Sequence, residues 1–471
     1  MSVGELCRLT AREAVGLLKS GDLSPLELID AAARRIDATD GALNALPTLC
    51  LERARDHARR LMESATGRDS LLAGLPIVVK DLNDVAGVRT TYGSPIYERH
   101  VPGRSDILVE TLEARGAVVI GKSNTPEFGA GASTFNEVFG KTRNPWNSAK
   151  SVAGSSGGAA AALAAGQAWL ATGSDLGGSL RTPASFCSVV GLRPSPGRVA
   201  RGPVTEPFNS LSVAGPMARD PDDAALFLDA MAGRHREDPM SLDAPAVSFA
   251  KTVAERRLPK RIGYSRDLGI IPVDREVAAI CEKAAQAFAD MGVEVVEARP
   301  NFSEAMECFQ TLRAAGFVAS LGATLRHHRD ALKPEVIWNI ERGLALDADQ
   351  IAAAQLARGR LYKSTARFFE NHELLLCPAA IVPPFDVDTR YVEEVDGTTF
   401  DSYIDWIAIT FAVTLTSCPA VSVPAGFTQA GLPVGLQIVG PPRGEAEALT
   451  AAALLDDANG LSKLLPIDPR V

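Results

Sequence analysis

Two clusters of serine and glycine carry the residue types best suited to chemistry in this sequence. They are Gly154-Ser155-Ser156-Gly157-Gly158 and Gly177-Gly178-Ser179, separated by a run of small apolar residues. Glycine beside serine at a chain reversal permits backbone angles that a Cβ forbids, and it leaves amide N–H groups bare for an incoming atom. Two such clusters can set two hydroxyls and a row of N–H donors around one substrate carbonyl. A pair of flexible loops flanking a buried Ala-rich helix would account for the same composition. A serine hydroxyl also needs a base, and lysine can serve only if burial lowers its pKa. Lys80 closes the apolar run Leu75-Pro76-Ile77-Val78-Val79 and is followed at once by Asp81, Asn83 and Asp84. The alternative for Lys80 is a strand end that reaches solvent, the commoner fate of a lysine.

Two motif matches fail on context. Gly116-Ala117-Val118-Val119-Ile120-Gly121-Lys122-Ser123 fits the phosphate-loop pattern, but its middle residues form a buried strand rather than a loop that wraps phosphate. The G-x-S-x-G centred on Ser156 lacks the preceding strand of a nucleophile elbow, since Asn144 to Ser151 is polar and contains Pro145.

The elements that must position these residues follow from periodicity. Thr10 to Glu13 and Ser24 to Glu27 have capping-box spacing and start two helices, the second with Pro25 at its first position. Helices are predicted at 50–65, from Ser105-Asp106 to Ala114, at 221–232, 274–291 and 445–456, and over most of 303–372. Strands are predicted at 75–80, 117–120, 293–296, 374–378, 420–424 and 432–440, with Pro378 and Pro424 read as strand ends. Segment 383–402 reads as a surface loop or lid. Strand, helix and strand in succession predict an α/β fold: a mixed sheet covered by helices on both faces. With no linker or repeat visible, residues 1–471 read as a single domain, with 70–200 as its core and 303–410 as the variable pocket region.

The totals narrow the function. The chain has 471 residues, 46% hydrophobic and 22% charged, enough for a large core. A net charge of −9 without a basic block gives no reason to expect a nucleic-acid partner. No stretch approaches the roughly 18 apolar residues of a membrane helix, and no signal pattern opens the chain. Seven scattered cysteines without a C-x-x-C pair, and six dispersed histidines, argue for a reducing compartment and against a metal site. The expectation is a cytoplasmic enzyme without metal or cofactor.

The sequence resembles the amidase signature family. The resemblance is carried by Gly74-Leu75-Pro76-Ile77-Val78-Val79-Lys80-Asp81, by Gly121-Lys122-Ser123-Asn124-Thr125-Pro126-Glu127-Phe128, and by Asn144-Pro145-Trp146-Asn147. The two serine clusters, Gly173 to Arg181, Gly191-Leu192-Arg193-Pro194 and Gly431 to Gln437 extend it over most of the chain. The resemblance implies a Ser–Ser–Lys triad in which Ser179 is the nucleophile and Ser155, on a cis peptide, relays protons to neutral Lys80. It implies an oxyanion hole of the amides of Leu176, Gly177, Gly178 and Ser179, and an acyl pocket at Gly129, Ala130 and Gly131. Asp175 and Arg181 are expected to hold the nucleophile turn, and Ser156 to start the following helix. The implied partner is a small-molecule amide, with neither nucleic acid nor membrane, and a homodimer is the default. Rival readings are the amidase-type subunit of a glutaminyl-tRNA amidotransferase, against which Thr182 counts as too short, and nucleotide binding at Gly116–Ser123. The sequence departs from the family at Lys80-Asp81-Leu82-Asn83, which displaces the asparagine, and at Ser174 where threonine is frequent.

Overall fold

The computed structural model describes residues 1–64 and 67–470. Its centre is an eleven-stranded sheet. In chain order the strands are β1 (Thr48–Leu49), β2 (Pro76–Lys80), β3 (Val118–Ser123), β4 (Leu170–Asp175), β5 (Val190–Arg193) and β6 (Val213–Ala218). They continue with β7 (Arg261–Tyr264), β8 (Glu294–Glu297), β9 (Leu374–Pro378), β10 (Ala420–Phe427) and β11 (Pro433–Val439). Across the sheet the order is β1-β3-β2-β4-β6-β5-β10-β11-β9-β7-β8. β2 runs parallel to β3 and β4, and β7 runs parallel to β8 and β9. The remaining pairs are antiparallel, so the sheet is mixed. Every residue of β2, β3, β6, β9 and β11 is buried. Successive side chains point to opposite faces of a sheet, so both faces must be covered.

Helices form where the capping and periodic signals place them. α1 (Ala11–Ser20) and α2 (Pro25–Leu43) both carry complete capping boxes, at Thr10/Glu13 and Ser24/Glu27. Helices at Leu51–Glu63, Ile107–Ala114, Pro221–Met231, Arg275–Asp290 and Glu445–Asn459 match the predicted ones. Asp106 precedes its helix without capping it; its carboxylate accepts instead from Asn83. Around the site lie α3 (Gly157–Ala164), α4 (Arg181–Cys187), α5 (Ala305–His328), α6 (Pro334–Leu344), α7 (Ala348–Phe368) and α8 (Ala408–Leu415). All eight residues of α3 are buried. Small side chains are required there, since a Cβ on Gly158 would lie 2.4 Å from the Asn124 amide nitrogen. Among the described residues no helix is long and apolar enough to cross a membrane.

Three expectations need correction. β3 runs on through Gly121, Lys122 and Ser123, because Val79 and Lys80 of β2 pair with Lys122 and Ser123. Pro424 does not end its strand. β10 continues to Phe427 across a register shift between Pro424 and Gly426. Its other neighbour, β5, pairs only as far as Ser422, so the N–H that proline lacks has no partner to lose. Segment 383–402 includes a two-stranded ribbon, Glu394–Val395 with Thr398–Thr399, rather than loop alone.

Candidate active site

The buried end of β2 brings Lys80 beside β4. The Lys80 amide donates to Thr172 Oγ1 at 3.0 Å. Strand alternation sets Thr172 and Ser174 on one face of β4, and the lysine side chain meets the second of them. Lys80 is fully buried, and its Nζ lies 2.7 Å from Ser155 Oγ, 2.9 Å from Ser156 Oγ and 3.0 Å from Ser174 Oγ. Among the described residues no carboxylate bonds to it. Burial pushes the amine down to about 7, against the opposing pull of Asp175.

A second buried lysine makes the contrast. On the neighbouring strand, Lys122 Nζ lies 3.1 Å from Asp81 Oδ1 and donates to the Asn83 carbonyl and Thr90 Oγ1, each at 2.7 Å. It is a paired charge inside the sheet, and the glycines and lysine of Gly116–Ser123 wrap no open loop. Asn83, displaced by one position, turns its side chain to Asp106, while Leu82 lines the cavity.

The turn after β4 is fixed from within. Asp175 accepts from the amides of Gly178 at 3.0 Å and Leu180 at 3.1 Å, and from Arg181 Nη2 at 2.8 Å and Nε at 3.0 Å. Arg193 Nη1 adds bonds to the Asp175 carbonyl and carboxylate. Burial alone would raise the Asp175 pKa, but Arg181 and Arg193 outweigh it and hold the carboxyl well below the usual range. Arg181 then ties the turn to α8 and β11 through the Thr410 carbonyl, Thr414 Oγ1 and Gln437 Oε1. Gly178 sits at φ +128°, where a Cβ would lie 2.3 Å from Thr410 Oγ1. The Ser156 amide donates to the Ser179 carbonyl at 3.2 Å, which joins the two serine clusters. The peptide between Gly154 and Ser155 is cis.

Ser155, Ser174 and Ser179 open onto a cavity of about 110 Å³, bounded on its far side by Arg313 and Phe317 of α5 and by Ile404 and Ile407. Leu176, Gly177, Gly129 and Gly131 also line it. The residues expected from sequence thus converge, with four differences. The Gly178 amide is already engaged by Asp175, so the amides of Leu176, Gly177 and Ser179 are the ones without a protein acceptor among the described residues. Ala130 faces away, into a small apolar cluster with Leu325, Leu332, Val336 and Ile340. Ser156 begins α3 by position but does not cap it, because its hydroxyl is turned to Lys80. Thr182 is buried in α4 and does not line the cavity, so its length cannot select a substrate directly. Two participants were missed: Ser174, which a strand reading of 170–175 would have placed beside Lys80, and Arg313.

Comparison with known proteins follows the same lines. A family model described as Amidase matches residues 27–449. An acylamidase of Rhodococcus erythropolis is 32% identical over 98% of each chain. The amidase-type component of the glutamyl-tRNA(Gln) amidotransferase of Geotalea daltonii is 34% identical over 95% of this chain and 96% of its own. Among solved structures, a bacterial aryl acylamidase of the amidase signature family superposes with a TM-score of 0.91 at 28% identity, covering 98% of this chain and 99% of its own. A 6-aminohexanoate cyclic dimer hydrolase gives 0.87 at 27% identity, covering 98% of each.

Proposed function

The chain belongs to the amidase signature family, and on that premise we propose that it hydrolyses a carboxamide through Ser179, Ser155 and Lys80. The observation that carries this reading is the environment of Lys80: a fully buried amine among three hydroxyls, with no carboxylate bonded to it among the described residues. An amine near pH 7 in pKa is neutral for a large fraction of the time, and a neutral amine has a lone pair to accept a proton.

In this reading Ser155 Oγ–H passes its proton to Lys80 Nζ as it takes one from Ser179. Ser179 Oγ attacks the amide carbonyl, and the oxygen that gains charge is met by the amides of Leu176, Gly177 and Ser179. Losing one such donor costs about 2.7–4 kcal/mol of transition-state stabilisation. Asp175 keeps the Gly178 amide and thereby holds the donors in place without reorganisation. The proton on Lys80 returns through Ser155 to the leaving nitrogen, which departs as ammonia or an amine. Water then attacks the acyl-enzyme by the same relay, releasing the carboxylic acid and restoring Ser179.

A second reading is supported by the 34% identity to the amidotransferase component: the same triad would deliver ammonia to a partner protein. Ammonia or amine release by the purified chain alone separates the two. Turnover of simple carboxamides that disappears in Ser179→Ala supports the hydrolase. Turnover that requires partner subunits supports the amidotransferase, and turnover that survives Ser179→Ala overturns the triad.

A further inference from the structure

We infer that Arg313 anchors a carboxylate on the substrate, so that the amide cleaved here is a short one bearing an acidic group, such as the half-amide of a small dicarboxylic acid. This deepens the proposed function and rests on acyl transfer at Ser179. Arg313 lies on α5, is 4% exposed, and lines the same cavity as Ser155 and Ser179. Its protein partners are neutral. Nη1 donates to Asn339 Oδ1 and Nη2 to Tyr403 Oη, and the guanidinium lies 4.7 Å from the ring centre of Phe317 and 5.5 Å from that of Tyr403. A guanidinium has five N–H donors; two are used, and no carboxylate pairs with it among the described residues.

A buried arginine without a carboxylate is costly, and the other buried arginines have one paired or close by. Arg181 and Arg193 share Asp175, Arg198 has Glu445, and Arg219 lies in the field of Asp223 and Asp220. The charges behind Arg313 do not balance it either. Lys333 bonds the Ala130 carbonyl and lies within the field of Glu127, Glu335, Arg390 and Arg313. Glu335 is already paired with Arg390 at 2.6 Å, and one Glu127 oxygen accepts from the Lys333 amide while the other accepts from Ser94. Three cations therefore face two carboxylates, and the member that lines the cavity is Arg313. An incoming carboxylate would complete the set with charge-assisted hydrogen bonds, the geometry a guanidinium fork provides. The cavity volume of about 110 Å³ limits the body between that carboxylate and the scissile amide to a short chain.

The test compares malonamate, succinamate and glutaramate with propanamide, butanamide and pentanamide as protectors of Ser179 against a phosphonylating reagent, read by intact mass. The wild type is expected to be half-protected by at least one half-amide at a concentration about tenfold below that of its neutral counterpart. In Arg313→Gln the ratio should fall to about one, and Arg313→Lys should restore part of it. A merely structural arginine would weaken both members of a pair alike and leave the ratio standing. No preference in the wild type for any pair, or a preference that persists in Arg313→Gln, overturns the inference. If Arg313→Gln does not fold, the wild-type ratio and that of Arg313→Lys still decide. If the reagent fails to label Ser179 at all, that counts against the triad. The same six compounds then report on Arg313 through thermal shift, where equal shifts within every pair refute it.

Discussion

Replacing Ser174 by alanine removes one of three hydroxyls that surround Lys80 Nζ at 2.7, 2.9 and 3.0 Å. Protonated, the amine has three N–H groups for three acceptors. Neutral, it has two N–H groups for Ser156 and Ser174, and a lone pair that faces the Ser155 hydroxyl. The substitution deletes one acceptor from each form, but a hydrogen bond to a charged group contributes about 1.5–3 kcal/mol and a neutral one about 0.5–1.5. The charged form thus loses more, by ~1 kcal/mol, which lowers the pKa by roughly 0.7. Starting from about 7, the midpoint falls to roughly 6–6.5. Because the neutral amine is the working form, kcat/KM rises with pH through that midpoint, and its acid limb moves to lower pH by the same amount. The plateau should drop about five- to tenfold as the amine loses a positioning contact. Parallel kcat/KM profiles between pH 5 and 9 for wild type and Ser174→Ala measure both effects. An acid limb that stays in place or moves to higher pH would refute the reasoning about Lys80.

Three further perturbations probe the scaffold. Arg181→Met leaves the buried Asp175 carboxylate with Arg193 alone and should cost about 3–5 kcal/mol in urea denaturation; a loss below about 1 kcal/mol, the worth of an exposed pair, would contradict its structural role. Gly178→Ala forces a Cβ to 2.3 Å from Thr410 Oγ1 at φ +128°, and should lower kcat/KM at least about tenfold by displacing neighbouring oxyanion donors; full activity would remove the turn from the mechanism. All seven cysteines are free thiols, and burial raises Cys50 to about 11 and Cys377 and Cys418 to about 12. Ellman's reagent at pH 8 should therefore react slowly with the native protein and titrate every thiol after unfolding; several fast thiols in the native state would be inconsistent with this packing.

The parts of the site that could be read from sequence are those where local pattern and tertiary demand agree. The β-branched run before Lys80 has one plausible fate, and the capping boxes at Thr10 and Ser24 fix their helices by local hydrogen bonds. Asp175 and Arg181 sit close enough in sequence for their pairing to be expected. What stayed hidden depends on partners far along the chain. Leu170–Asp175, LATGSD, has weak β-propensity, and it is a strand because β2 and β6 flank it. Without that strand, Ser174 has no reason to face Lys80. β6, VAGPMA, contains Pro216, which pairs with Thr172 on one side while β5 pairs only with Met217 and Ala218. Gly178 looks like an oxyanion donor in any glycine-rich turn until the carboxylate of Asp175 is seen to hold its amide. Arg313 reads as the wet side of a helix, and only the packing of α5 against α6, α7 and α8 sets it in the cavity wall.

The central claim is that Ser179 is the nucleophile and Lys80 its source of activation. Intact-protein mass after exposure to a phosphonylating reagent tests this most directly, for wild type, Ser179→Ala and Lys80→Ala. The account predicts a single adduct on the wild type, mapped to Ser179, absent from Ser179→Ala and formed far more slowly by Lys80→Ala. An adduct that persists in Ser179→Ala or maps to Ser156, or a rate indifferent to Lys80, would contradict it.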